Sequence, residues 1–204
     1  MKAAPYRDTQ GPGKEGFRRL LKAAEGNKRN LAILWLLYSM ALRRGEVAGL
    51  DYKHVKGNRL FVKSKGDRSE AERKPLTIPK EAQKPLAEWL AARGDEPGPL
   101  FLNAHRGVQD HTRLSTRSIA RMLAVLAKKA GLGHVRPHGL RHTAITVALK
   151  LCGGDLRRVQ DFSRHKDPRT VIKYDDNRRD RGGQVAAKVA GDVEGDDEDD
   201  DVDG

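Results

Sequence analysis

The run LAILWLLYSMAL at 31–42 constrains this chain more than any other stretch, because none of its twelve residues is charged. As a helix it falls well short of the roughly 20 residues needed to cross a bilayer. It must therefore be buried in protein, and the pattern predicts a central helix, capped by Asn30 and running to about Leu42. Aromatic residues make up only 5% of the chain, so the core around that helix has to be built mostly from Leu, Val, Ile and Ala.

The flanking segments have room to do this. Phe17, Leu20, Leu21 and Ala24 predict a helix over KEGFRRLLKAAEG that stops near Gly26. After the central helix, RRGEVAGLDYKHV reads as a turn, and the period then changes. KHV, RLFVKS and KPLTIP read as three short antiparallel strands, joined by KGN and by the polar KGDRSEAE. Helices return over KEAQKPLAEWLAAR (80–93), whose first turn Pro85 unsettles, and a loop rich in Gly and Pro follows. The next helix, STRSIARMLAVLAKKAG, carries Ile119, Met122, Leu123 and Leu126 on one face and stops at Gly131. PHGLRHTAITVALKLCGG then sets Leu140, Ala144, Val147, Ala148 and Leu151 in a stripe, and Asp155 caps LRRVQDFS. Asp167 followed by Pro168 starts a last short helix that places Tyr174 about two turns in. The expected fold class is mainly α with a small three-stranded antiparallel β-sheet. Residues 1–13 read as an irregular lead-in, 14–180 as one domain, and 181–204 as a C-terminal segment ending in a disordered acidic tail.

Charge narrows the function. The formal net is +12, yet the last thirteen residues, DVEGDDEDDDVDG, hold nine acids and no base. Without them 40 basic residues face 19 acidic ones, a net of +21 over residues 1–191. Such an excess is the electrostatic footprint of a nucleic-acid binder. The lone Cys152 excludes a disulfide framework within the chain, and MKAAPYRDTQ has no apolar stretch of the kind an export signal needs. A cytoplasmic, nucleoid-associated protein without a membrane partner is the expectation.

Four stretches stand out in order: ALRRGE (41–46), VKSKGD (62–67), HGLRH (138–142) and RHKDPRTVIKY, in which His165 precedes Tyr174 by nine residues. Together they resemble the active-site signature of the tyrosine recombinases, the phage-integrase family. That signature has an Arg in a G-L-R-x-x-E box, a Lys in a β-hairpin, an H-x-x-R box, a late His or Trp, and a Tyr nine residues on. The resemblance covers roughly residues 15–176 and implies the DNA breaking-rejoining catalytic fold of that family.

The residue types suit attack on a DNA phosphodiester. Arg43 and Arg141 would grip the non-bridging oxygens in fixed forks that stay charged at any physiological pH. Tyr174 would be the nucleophile, needing a cationic pocket because a free phenol ionises near pH 10. His138 is the expected proton acceptor. By resemblance Lys65 is the general acid for the departing 5′-oxygen, with Lys63 a rival two residues away. Glu46 would brace Arg43, and His165 would bond a phosphate oxygen or steady Tyr174. The product would be a 3′-phosphotyrosyl link, and rejoining would need no ATP, metal or other cofactor.

His138 and His142 are spaced as a metal pair is, but no third ligand stands at a suitable spacing and Arg141 lies between them. Arg117, Arg121 and Lys128 share a helix face that would contact DNA. The expected partner is double-stranded DNA, bound as a homotetramer, with a monomer possible when free. A type IB topoisomerase-like nicking-resealing enzyme and a non-catalytic DNA-binding accessory protein are the alternatives. Only about 14 residues precede the first helix, where the family usually carries a clamping domain, so weak, salt-dependent DNA binding is expected of this chain alone.

Two positions depart from the signature. Ala41 stands where Gly opens the first box, a small change, and Ser163-Arg164 replaces Leu-Gly before the late His. Glycine tolerates a left-handed backbone there that Arg164 would strain.

Overall fold

The uncharged run becomes the central helix, but its frame shifts at both ends. Helix α2 (Lys28–Ser39) is capped by Asn27, whose side chain accepts from the Asn30 amide at 3.0 Å, so Asn30 is the residue being capped. It ends at Ser39, short of Leu42, because Ala41 takes a left-handed φ of 45° that a helix cannot contain. Ile33, Leu34, Leu36 and Leu37 are fully buried on it. The computed structural model describes residues 11–63, 69–105, 108–172, 174, 183, 186, 187 and 189–191.

Helices α1 (Gly13–Ala23), α4 (Lys80–Arg93) and α5 (Thr116–Lys129) match the spacing read from their sequences, and α4 runs through Pro85. α1 and α5 cap each other with cations. Arg19 donates to the carbonyls of Ala130 and Gly131, just past the end of α5, and Lys129 donates to that of Ala23 at 2.8 Å. Each cation thus meets the negative end of its neighbour's dipole. α4 packs along α2, and Trp89 donates to the Leu100 carbonyl at 2.9 Å.

Strands β1 (Val55–Lys56), β2 (Arg59–Val62) and β3 (Lys74–Thr77) form the expected antiparallel sheet in the order β1-β2-β3. Leu60 pairs with Leu76 and Val62 with Lys74, which turns Leu60 and Val62 into the core. Lys65 lies outside the described residues. A second hairpin, β4 (Leu102–His105) and β5 (Val108–Arg113), occupies what the sequence predicts to be loop. NAHRGVQDHTR lacks the alternating apolar residues that would announce a strand. A further difference is helix α3 (Arg44–Ala48), where a turn is expected.

Helix α6 (Pro137–Leu151) buries Leu140, Arg141, Ala144, Ile145 and Leu149, whereas Leu151 is 82% exposed. The buried stripe is therefore rotated from the predicted one. Helix α7 (Leu156–Ser163) is capped as predicted by Asp155, which accepts from the Arg158 amide at 3.0 Å. Helix α8 (Arg169–Ile172) is only four residues long, so Tyr174 sits in the turn beyond it and not two turns in.

Among the described residues, buried apolar side chains separate into two clusters. The larger one spans α1, α2, α4, α5 and the three-stranded sheet. The smaller joins Ala41, Ala144, Ile145, Leu149, Val159, Val171 and Tyr174. Residues from Asp175 on form a separate unit, in which Gly183, Ala186, Ala187 and Val189 to Gly191 are helical. The acidic tail lies outside the described residues. Among those described, no helix is long and apolar enough to cross a membrane.

Candidate active site

A cleft of about 1070 Å³ opens between α3, the end of β2 and the start of α6. Arg43, Arg44, Lys63, Arg73, Arg136, His134, His138 and Arg141 line it, with Glu46 at its base. Lys63 and Lys65 were rivals in the sequence, and of the two it is Lys63 that is described, on the cleft wall. Arg73 and Arg136 carry no sequence signal, since nothing in their spacing distinguishes them from other surface arginines.

Arg43 is the N-cap of α3, and Glu46 reaches back to it twice. One carboxylate oxygen accepts from the Arg43 amide at 2.8 Å and the other from its guanidinium at 2.7 Å. Glu46 is buried, so this is a brace of fixed geometry, well beyond a surface pair worth a few tenths of a kcal/mol.

Arg141 is only 1% exposed. Its guanidinium donates to the carbonyls of Ala41 and Ser163 and approaches His165 Nε2 at 3.2 Å. Burial, with Arg43 and Arg164 nearby, lowers its pKa to about 10, against the pull of Glu46 and Tyr174. It therefore stays cationic at neutral pH.

Arginine can only donate, so His165 Nε2 must accept from Arg141 and the ring proton rests on Nδ1. Ser163 Oγ accepts the hydrogen bond from Nδ1–H at 2.9 Å, and its own hydroxyl donates to the Gln160 carbonyl at 3.3 Å. This tautomer leaves Nε2 with no proton to give. Burial first, then the surrounding cations Arg141, Arg43 and Arg164, push the His165 pKa down to about 4. His138, on the cleft wall, is lowered for the same reasons, burial and then Arg141 and Arg43.

The depressed value has a consequence for stability. In the unfolded chain a histidine takes a proton near pH 6.5, whereas the folded His165 refuses one until about 4. Unfolding between those values takes up a proton. The contribution is whole above 6.5 and is lost as pH falls toward 4. The stability gap between wild type and His165→Gln, measured by urea unfolding, is expected to shrink by about 1–2 kcal/mol from pH 7 to 4.5, allowing for water around the half-buried ring.

Tyr174 is 8% exposed and packs into the smaller apolar cluster. Its ring lies 5.7 Å from that of His165, at 26°, and 4.7 Å from that of His142. Arg43, His138 and Arg141 thus share the cleft, and His165 links Arg141 to Tyr174. Tyr174 itself is not on the cleft wall, and the rings against it are His142 and His165, whereas His138 faces the cleft. Arg117, Arg121 and Lys128 are exposed on α5, where Ala120 reaches the cleft edge. Among the described residues no cluster of His, Cys, Asp or Glu is built to hold a metal ion.

Arg164 is the residue that sequence spacing could not find. Its backbone is left-handed, at φ 55° and ψ 40°. Its guanidinium donates to the carbonyls of Met40, Phe162 and Ala41, each at 3.0 Å, and to Glu46 at 3.1 Å. Ala41 is left-handed as well, so the replacement of glycine there is not small. Its strain, about 1–2 kcal/mol, is offset in part by a methyl group fully buried in the smaller cluster.

Residues 14–181 match the Phage integrase family. A tyrosine recombinase of Synechocystis sp. (slr0733) is 37% identical over 195 residues, 91% of this chain and 61% of its own length. The XerC tyrosine recombinase of Corynebacterium glutamicum is 34% identical over 149 residues, 72% of this chain and 46% of its own. The chain thus spans about half to three fifths of these relatives' length. Among solved structures, the XerA recombinase superimposes with a TM-score of 0.68 at 27% identity, covering 89% of this chain and 65% of its own. XerH bound to palindromic difH, in a post-cleavage complex, gives 0.68 at 20%, covering 92% and 55%, a likeness of fold.

Proposed function

The chain belongs to the phage integrase family, and on that premise we propose that it is a site-specific DNA recombinase, cutting and rejoining strands through a covalent 3′-phosphotyrosyl intermediate. The observation that carries this reading is the double engagement of Arg141, which opens onto a cationic cleft beside Arg43 and touches, through His165, the ring stack holding Tyr174. Guanidiniums held by Glu46 and by backbone carbonyls need little reorganisation when charge gathers on the phosphate oxygens.

In this reading a backbone phosphate enters the cleft and is gripped by Arg43 and Arg141. Tyr174 turns out of its apolar site and its oxygen attacks phosphorus, losing its proton to a neutral imidazole; His138 is the candidate on the cleft wall. The bond from phosphorus to the 5′-oxygen breaks, and a lysine of the hairpin, Lys65 or Lys63, protonates the leaving oxygen. His165 steadies Tyr174 by stacking, because its Nε2 already accepts from Arg141. The free 5′-hydroxyl of a partner strand reverses the step. Duplex DNA is the partner in this reading, supported by the structural likeness to XerH bound to its palindromic difH substrate, and a homotetramer would hold two duplexes. The exposed Arg117, Arg121 and Lys128 extend the positive surface along α5 toward that DNA.

The test uses a suicide duplex carrying the protein's target site, nicked so that the 5′-hydroxyl diffuses away. Incubation in EDTA followed by denaturing electrophoresis should show a protein band shifted by covalent DNA. A duplex bound and released without any adduct would end the recombinase reading.

A further inference from the structure

We infer that Arg164 is a positioning residue for strand cleavage, a guanidinium staple that ties the segment before His165 to the turn carrying Arg43. The inference rests on the recombinase reading of the site.

The geometry is unusual in what it joins. Ala41 ends α2 in a left-handed conformation, and this aims its carbonyl at two guanidiniums, those of Arg141 and Arg164. Arg164 adds the Met40 carbonyl, so it clamps consecutive peptides of the turn that leads into Arg43. Its remaining bond to that side goes to Glu46, the carboxylate that braces Arg43. One side chain therefore reaches the support of both catalytic arginines. Its own backbone belongs to the segment that presents His165, and Ser163 on its other side gives its carbonyl to Arg141.

Nothing about a helix end requires an arginine here. A left-handed C-terminal position is filled with least strain by glycine. The chain instead accepts the strain, buries the head group, and leaves Nε without a partner among the described residues. Burial lowers the Arg164 pKa, and Glu46 is the group that opposes this. A residue kept only to turn the chain would not need four acceptors drawn from the turn after α2, from α3 and from α7.

Arg164→Gly separates the two roles, because it suits the backbone and removes the staple. The expected result is a melting temperature a few degrees below that of wild type, because relief of the left-handed strain offsets only part of the lost hydrogen bonds. DNA affinity stays within about twofold, and cleavage of the suicide duplex, assayed well below melting, is slowed about ten- to a hundredfold, as misplacement of catalytic groups does. Guanidinium ion at a few millimolar should restore part of that rate to Arg164→Gly, and equal sodium chloride should not. Cleavage by Arg164→Gly at the wild-type rate overturns the inference.

A wild-type protein that forms no adduct would defeat the recombinase reading instead, and a second measurement then decides. The His165 ring, followed by NMR, is expected to titrate higher in Arg164→Gly, since a cation has left and the turn has loosened. An unchanged midpoint would overturn the staple with no reference to activity.

Discussion

Tyr174→Phe is expected to remove the covalent DNA adduct entirely, lowering cleavage of a suicide duplex by at least about 10⁴-fold. Phenylalanine keeps the ring that sits in the smaller apolar cluster with Val159, Val171 and Ala144 and that stacks on His165. Stability should therefore change by no more than about 1 kcal/mol, the ordinary worth of one hydroxyl hydrogen bond. DNA affinity, set by the arginines and lysines of the cleft, should stay within about twofold, since Tyr174 is not on the cleft wall. Denaturing electrophoresis and a gel-shift series on the same two proteins read both quantities. An adduct that survives in Tyr174→Phe would move the nucleophile elsewhere.

Arg141→Lys should be damaging in two separable ways. A lysine ammonium is a point charge with three donors and cannot reproduce the fork that meets Ala41, Ser163 and His165 together. At least one buried carbonyl would lose its donor, which costs about 1–3 kcal/mol in urea unfolding. Cleavage should fall by about 10²–10³, the usual cost of one preorganised charge-stabilising group. Assaying the variant well below its unfolding midpoint isolates the second effect. Wild-type cleavage by a stably folded Arg141→Lys would show that the fork is dispensable.

Much of this site is legible in the primary structure, and the reasons differ by residue. Arg43, His138, Arg141, His165 and Tyr174 fall in short motifs whose order the chain preserves, and folding brings their elements together. The extents of α4 and α5 follow from apolar spacing alone. The β4–β5 hairpin does not, because its strands are polar and are held by backbone pairing. α8 ends early: its single turn is too short for periodicity to mark, so Tyr174 reads as helical when it is not. The end of α2 is hidden too, since an alanine at φ 45° looks like any other helix former. Arg164 shares that blindness. Its bonds join residues more than a hundred positions apart, and no local pattern encodes them.

The resting place of Tyr174 carries a last consequence. As the proposed nucleophile, a phenol buried in the cluster with Val159 and Val171 would have to give up roughly 2 kcal/mol of apolar contact before it could meet a phosphate, so an idle molecule would present it only about one time in thirty. The small cluster, none of whose residues lines the cleft, would on the recombinase reading act as a safety catch, leaving scission to copies whose grip on DNA repays the release.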